Sequence, residues 1–138
     1  MEFAVLVKVV PAAESATFDP ARKTIRRDEG EQFLNPFDQR AIRVALDLRR
    51  PGETVTVVSM GPLSAAAAVE GTIALGVDRA ILVSDPVLAG SDSFVTARVL
   101  ARVLAERPAG LVILGKWTTD SETGQVPAEL AERLGRPL

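Results

Sequence analysis

Four short runs of apolar residues, Phe3–Val10, Thr54–Met60, Arg79–Ser84 and Gly110–Gly115, confine this chain to few architectures. Each has the length of a strand, is rich in β-branched residues and is nearly continuously hydrophobic. That is the pattern of parallel strands covered on both faces, not of antiparallel strands with one wet side. Between the runs lie stretches with helical spacing. Phe37–Arg49 sets Ala41, Val44, Ala45 and Leu48 along one side and leaves Arg40, Arg43, Asp47 and Arg50 for solvent. Leu63–Leu75, with its alanines 65–68 and a stop at Gly76, predicts a second helix. Ser93–Glu106 predicts a third, with Ala97, Leu100, Ala101 and Leu104 inward and Pro108 closing it. A fourth ends at Gly135 and carries Val126, Leu130 and Leu134 at successive turns. Strands alternating with such helices imply right-handed crossovers. The expected fold class is α/β, a doubly wound, mostly parallel sheet with helices on both faces, in one domain over residues 1–138. In the irregular part, Ala12–Leu34, residues 17–20 and 23–26 flank a turn at Pro20-Ala21-Arg22 and predict a small exposed hairpin inserted after the first strand.

Composition removes most chemistry. The chain has neither cysteine nor histidine, which excludes disulfides, thiolate nucleophiles, imidazole bases and the usual soft metal ligands. Its net charge of −2 gives no reason to expect nucleic acid or a membrane surface as partner. The opening residues, Met1–Ala12, have neither a basic leader nor a long apolar run, so a soluble, cytoplasmic protein without membrane insertion is expected.

In open parallel sheets ligands bind beyond the carboxyl ends of the strands, where crossovers diverge. The loops there are the candidate site. Asn35-Pro36-Phe37-Asp38 reads as a helix start, with Asn35 as cap, Pro36 in the first turn and Asp38 complementing the positive end. Asp120-Ser121-Glu122-Thr123-Gly124-Gln125 says more. Pro127 belongs in a first helical turn, so the last helix should begin close to Thr123, with the amides of Gly124 and Gln125 at its mouth. Amides, the Thr123 hydroxyl and the helix dipole suit a phosphate; a capped helix with a tight entry loop is the other reading, and Asp120 and Glu122 would repel an anion unless turned away. In Ser59-Met60-Gly61-Pro62, either Met60 lies against a flat ring or the quartet is a plain turn. Ser91-Asp92 reads either as the cap of the third helix or as a functional pair, and Trp117 either shields a ligand or, the favoured reading, packs on the sheet edge. No Walker-type loop and no Gly-x-Gly-x-x-Gly follows the first strand. Asp38, Asp92, Asp120 and Glu122 are best explained as acids at helix starts, so the residues do not point to an enzyme.

Together, Val5-Leu6-Val7-Lys8, Asn35-Pro36-Phe37-Asp38, Val58-Ser59-Met60-Gly61-Pro62, residues 74–80, Ala89-Gly90-Ser91-Asp92 and residues 120–125 resemble, in order and spacing, the β subunit of electron-transfer flavoproteins. The resemblance implies an adenine-nucleotide α-hydrolase-like fold and a subunit with no catalysis of its own. Its partner would be an α subunit that carries the redox FAD and takes electrons from flavin dehydrogenases, and the β subunit would bury AMP. Carried over, the AMP contacts fall on Leu6, on Asn35, Pro36, Phe37 and Asp38, on Met60 beside the adenine, and on Asp120, Ser121, Glu122, Thr123, Gly124, Gln125 and Val126 around ribose and phosphate. Family members generally have a Gln-Ala-Ile run where Trp117-Thr118-Thr119 stands, and often Asp in place of Glu122. Electron-bifurcating members, which hold a second FAD instead of AMP, commonly have alanine at the position of Gly124, so AMP is expected over FAD. ADP stays open. Family β subunits continue well past Leu138, so the chain is expected to lack the segment that meets dehydrogenases and the arm that reaches the α subunit, and to self-associate through exposed apolar surface. Two rivals stay open: a stand-alone nucleotide-binding protein of the universal-stress type, and an adenylate-using enzyme of the same broad fold.

Overall fold

A computed structural model describes residues 1–12, 17–26 and 30–138. Among the described residues eight strands and four α-helices follow one another: β1 (Glu2–Val7), β2 (Val9–Pro11), β3 (Thr17–Asp19), β4 (Thr24–Arg26), β5 (Gln32–Leu34), α1 (Pro36–Leu48), β6 (Thr54–Met60), α2 (Ala66–Glu70), β7 (Arg79–Val83), α3 (Ser93–Glu106), β8 (Leu111–Leu114) and α4 (Val126–Leu134). Four of the strands form one parallel sheet in the order β7-β6-β1-β8. The chain steps outward from β1 through β6 to β7, then crosses back over the sheet to place β8 on the other side of β1. The strand order therefore reverses between β1 and β8, and a crevice is expected beyond their carboxyl ends.

Strand periodicity distributes the core. Phe3, Val5 and Val7 point to one face with Val55 and Val57, where Ala41, Ile42 and Ala45 of α1 and Val69 of α2 cover them. Ala4, Leu6 and Val58 point to the other, under Ala97, Leu100 and Leu104 of α3 and Leu130 of α4. A central strand buried on both faces explains why its sequence is apolar without alternation. Fully burying one such valine or leucine contributes about 1.5–3 kcal/mol.

Several expectations shift. The run Phe3–Val10 is not one strand: it breaks at Lys8, and Val9–Pro11 leaves the sheet to pair antiparallel with β5. The break has a local cause, since both backbone polar groups of Lys8 are taken by residues at the start of α1. The inward stripe of α1 is rotated from the expected one: Ala41, Ile42 and Ala45 are buried, whereas Val44 and Leu48 are exposed. Leu63–Leu75 is not one helix but a 3-10 turn (Leu63–Ala65), the single α-turn of α2, and a second 3-10 segment (Gly71–Leu75). Gly71 weakens the α-helix there, and the buried Thr72 hydroxyl donates to the Val69 carbonyl three residues back, at 2.7 Å. The expected hairpin is present as β3 paired with β4, its turn held by Asp19 Oδ1, which accepts from the amides of Ala21 and Arg22. The remainder of the irregular reading, on residues 13–16 and 27–29, lies outside the described residues. Among the described residues no helix is long and apolar enough to cross a membrane.

Candidate functional site at the carboxyl edge

The carboxyl ends of β1 and β8 are laced together by polar side chains of one short segment. Asp38, in the first turn of α1, does not cap its own helix. Its Oδ2 accepts from the Lys8 amide at 2.9 Å and its Oδ1 from the Gly115 amide at 3.0 Å, so one carboxylate joins the ends of the two strands where the order reverses. Asp38 is only 4% exposed. Burial pushes its carboxyl above the usual aspartate range, and the hydrogen bonds from Lys8, Asn35 and Gly115 oppose that rise. Gly115 is required by contact: a Cβ there would stand 2.5 Å from Asp38 Oδ1 and 2.7 Å from Phe37 Cβ.

Asn35 precedes α1 but makes no side-chain cap, contrary to the expectation. Fully buried, it reaches the loop after β8 instead, donating from Nδ2 to the Trp117 carbonyl at 2.9 Å and accepting the Thr119 amide on Oδ1 at 3.3 Å. Its own amide donates to the Lys8 carbonyl at 2.8 Å. Lys8 in turn sends its ammonium to Asp120, 2.8 Å from Oδ1 and 2.7 Å from Oδ2, with the aspartate side chain 3% exposed. Three elements far apart in sequence are thus tied together by backbone-directed hydrogen bonds and one ion pair. Such a network is costly when partly satisfied and rigid when complete.

Beyond Asp120 the loop opens to solvent. Ser121 through Gln125 are exposed, Thr118 and Ser121 share a hydroxyl hydrogen bond at 2.9 Å, and the Glu122 amide donates to the Thr118 carbonyl at 2.9 Å. Glu122 and Gly124 both have positive φ, 53° and 63°, so the loop turns twice through the left-handed region. The last helix begins at Val126, not near Thr123. Gln125 is its N-cap, without a side-chain cap hydrogen bond, and Pro127 sits in its first turn. The left-handed turn at Gly124 delays the start, and the helix's leading amides are those of Val126 and Ala128.

The acids singled out in the sequence therefore divide. Asp92 caps α3, accepting the Val95 amide at 2.8 Å, as expected of a helix-start acid. Asp38 and Asp120 are bound elsewhere, and Glu122 lies in the exposed loop. Of the expected contact residues, Leu6 is in the core under α3 and α4, with Met60 and Val126 packed at the margin of that layer. Pro36 is exposed, and Phe37 meets Trp117 edge to face at 5.5 Å, with Arg40 over the Phe37 ring and Lys116 over the Trp117 ring. Trp117 is thus part of a packed aromatic pair at the rim, as its packing reading expected. All thirteen residues stand at or next to the carboxyl edge, on both sides of the sheet, with Asn35 and Asp38 turned inward. Lys8 and Gly115 stand outside the expected contact set: Lys8 belongs to the Val5-Leu6-Val7-Lys8 motif with no role given to it, and Gly115 reads only as the glycine at the last strand's end.

Near this edge α3 and α4 are joined by the Ser93 hydroxyl, which donates to Glu129 Oε1 at 3.1 Å. Ser59, near the end of β6, is 1% exposed, and its hydroxyl has no hydrogen-bond partner among the described residues.

Residues 23–138 match the model of the electron transfer flavoprotein domain. The chain is 36% identical, over 99% of its own length and 53% of the relative's, to the electron transfer flavoprotein subunit beta of Thermoanaerobacterium thermosaccharolyticum. It is 38% identical to protein FixA of Azotobacter vinelandii, over 100% of this chain and 51% of that protein. With the caffeyl-CoA reductase-Etf complex subunit CarD of Acetobacterium woodii it shares 33% identity, over 100% of this chain and 54% of that subunit. The chain spans about half the length of the curated relatives it matches.

Proposed function

This chain belongs to the electron transfer flavoprotein domain family, and from that premise we propose that it is the nucleotide-binding part of a β subunit, holding AMP as a structural ligand. In this reading the fold is that of the adenine-nucleotide α-hydrolases. The observation that carries it is the exposed loop Ser121–Gln125, which leaves the strand-order reversal and runs into an α-helix whose N-terminus has no side-chain cap. Unfilled amides at a helix start favour an anion, and the left-handed Gly124 lets backbone come close to one. Asp120, which precedes that loop, is paired with Lys8 and so does not oppose a phosphate, which leaves Glu122, exposed within the loop, as the acid that must turn to solvent. Met60, partly buried at the end of β6, offers a polarizable surface for the adenine.

The redox chemistry belongs to FAD, which this reading places mainly on a partner α subunit of a cytoplasmic heterodimer. Electrons come from flavin dehydrogenases that the longer protein would meet. The residues of this chain hold, orient and desolvate the nucleotide and move no electron themselves. The test is to denature the purified chain, release the bound small molecule and identify it by absorbance and mass, then repeat with Gly124→Glu, which puts a charged side chain at a left-handed position in the loop. AMP recovered from the parent and lost in the variant supports the site. FAD would assign the chain to the bifurcating branch, and a chain that is empty and refuses added AMP overturns the nucleotide reading.

A further inference from the structure

At the carboxyl ends of β1 and β8 the position of the Lys8 ammonium is fixed from both ends. The Lys8 amide donates to Asp38 and its carbonyl accepts from Asn35, so the backbone from which the side chain springs is held at both polar groups. Its ammonium, on a side chain 30% exposed, meets both oxygens of Asp120, 112 residues away in sequence. The loop after β8 is thereby fastened at three successive points: Trp117 and Thr119 by Asn35, and Asp120 by Lys8. Asp120 is the last of these before the exposed segment Ser121–Gln125. The Glu122–Thr118 and Ser121–Thr118 hydrogen bonds fold that segment back on the loop, and the Gln125 carbonyl accepts the Glu129 amide of α4 at its far end.

We propose that Lys8 is a positioning residue for the nucleotide: by holding Asp120 it sets the place of residues 121–125 and keeps the Asp120 charge off the bound phosphate. This rests on the AMP reading above and adds to it a residue that need not touch the ligand. Without the ammonium, a carboxylate whose side chain is 3% exposed loses its ion pair with Lys8. Leaving a charge buried without its partner is costly enough that the aspartate moves outward or takes up a proton. Moving outward carries the loop with it and presents negative charge beside the site. The preset backbone of Lys8 lowers the entropy lost in forming the pair, the usual reason surface ion pairs contribute little.

The test combines amide exchange with a double-mutant cycle on Lys8→Met and Asp120→Asn. Hydrogen exchange, read on peptides covering residues 116–125 and on β1, β6 and β8, is measured without nucleotide. Lys8→Met is expected to speed exchange in 116–125 while the strands stay protected. AMP titration by calorimetry is expected to show roughly tenfold weaker binding in each single variant, and no further loss in the double variant, as for two residues acting through one contact. Asp120→Asn breaks the pair from the loop side, so it carries the exchange test should Lys8→Met not fold. Unchanged exchange in 116–125 overturns the proposal, as do additive losses of affinity or a Lys8→Met protein that binds AMP like the parent. If the parent itself does not bind AMP, the nucleotide reading fails, while the exchange measurement still decides whether Lys8 holds the loop.

Discussion

The two edges of the sheet use aspartate in opposite ways. At the carboxyl edge Asp38 is buried and accepts two backbone amides, those of Lys8 and Gly115. At the amino edge Asp78 is exposed. Its Oδ2 accepts the Val55 amide at 2.8 Å and the Arg49 guanidinium at 3.0 Å, while its own amide donates to the Val55 carbonyl. The same edge carries further pairings with arginine: Glu2 with Arg79, and the Ala109 and Gly110 carbonyls with Arg136. Burial raises the Asp38 carboxyl, and the Val55 hydrogen bond, helped by Arg49, lowers that of Asp78. Where water and arginine are at hand a carboxylate is an inexpensive fastener. At the carboxyl edge it is held by the two strand-end amides that donate to it.

That contrast breaks most directly at Asp38. Asp38→Ala leaves the Lys8 and Gly115 amides without a partner in a buried site, and each buried unsatisfied group costs about 1–3 kcal/mol. A total loss of about 2–6 kcal/mol is expected in urea unfolding. A variant that unfolds like the parent would show that water replaces the carboxylate and that the crevice is wet. Gly115→Ala probes the same joint from the other side. The new methyl meets the Asp38 carboxylate and the Phe37 backbone, neither the loose end of a flexible chain, and overpacking of this kind costs about 1–3 kcal/mol. Pairing it with Asp38→Ala should recover part of that loss, since the carboxylate is the nearer obstacle.

At the amino edge the expected loss is smaller. Asp78→Asn gives up the charge in a solvent-exposed pair and weakens one backbone hydrogen bond, about 0.5–1.5 kcal/mol at neutral pH. The pH dependences of the two sites have opposite signs. Asp78, held below its ordinary value of 3.8, contributes stability that is present above 3.8 and lost as pH falls through its folded value. The deficit of Asp78→Asn should therefore shrink on acidification. Asp38, held above 3.8, contributes stability that is present below that value and lost as pH rises through its folded value. The deficit of Asp38→Asn should therefore grow as pH is lowered towards about 4. Urea midpoints of the parent and both variants across that interval check both signs, and parallel curves would sink the distinction between the edges.

The layout was legible because it rests on local periodicity. The buried face of α3 and the four parallel strands follow from apolar spacing in windows a few residues wide, and the Asp92 cap from a side chain bonding three residues ahead. What sequence reading missed lies in long-range hydrogen bonds. Asn35 and Asp38 carry every mark of a helix start, yet both side chains go to residues 77–84 positions away or to the end of β1. Nothing in a window around either residue announces those partners. The rotated stripe of α1 has the same origin, because Asp38 turns inward to reach two strand ends and takes Ala41, Ile42 and Ala45 inward with it. Within the exposed loop, Gly124 was recognised as special, but its left-handed turn delays the helix that Pro127 suggested should start earlier.

Ser59 supplies the smallest expected effect and the sharpest control on the comparison. It lies beside Val7 in the parallel register, one residue short of the end of β6, and its side chain shares the α1 face with Val55 and Val57. Unlike Asp38, its hydroxyl is buried with nothing among the described residues to donate to or accept from. A buried hydroxyl without a partner loses its hydration and gains no protein hydrogen bond in return. Ser59→Ala removes that polar atom with little change of volume. The expected change in stability lies between zero and a gain of about 1 kcal/mol, by urea denaturation. A loss of more than about 1 kcal/mol would mean that the hydroxyl is bonded in solution. The polar joint would then extend from the β1–β8 crevice to the neighbouring strand end, and the carboxyl edge would be fastened along three strands.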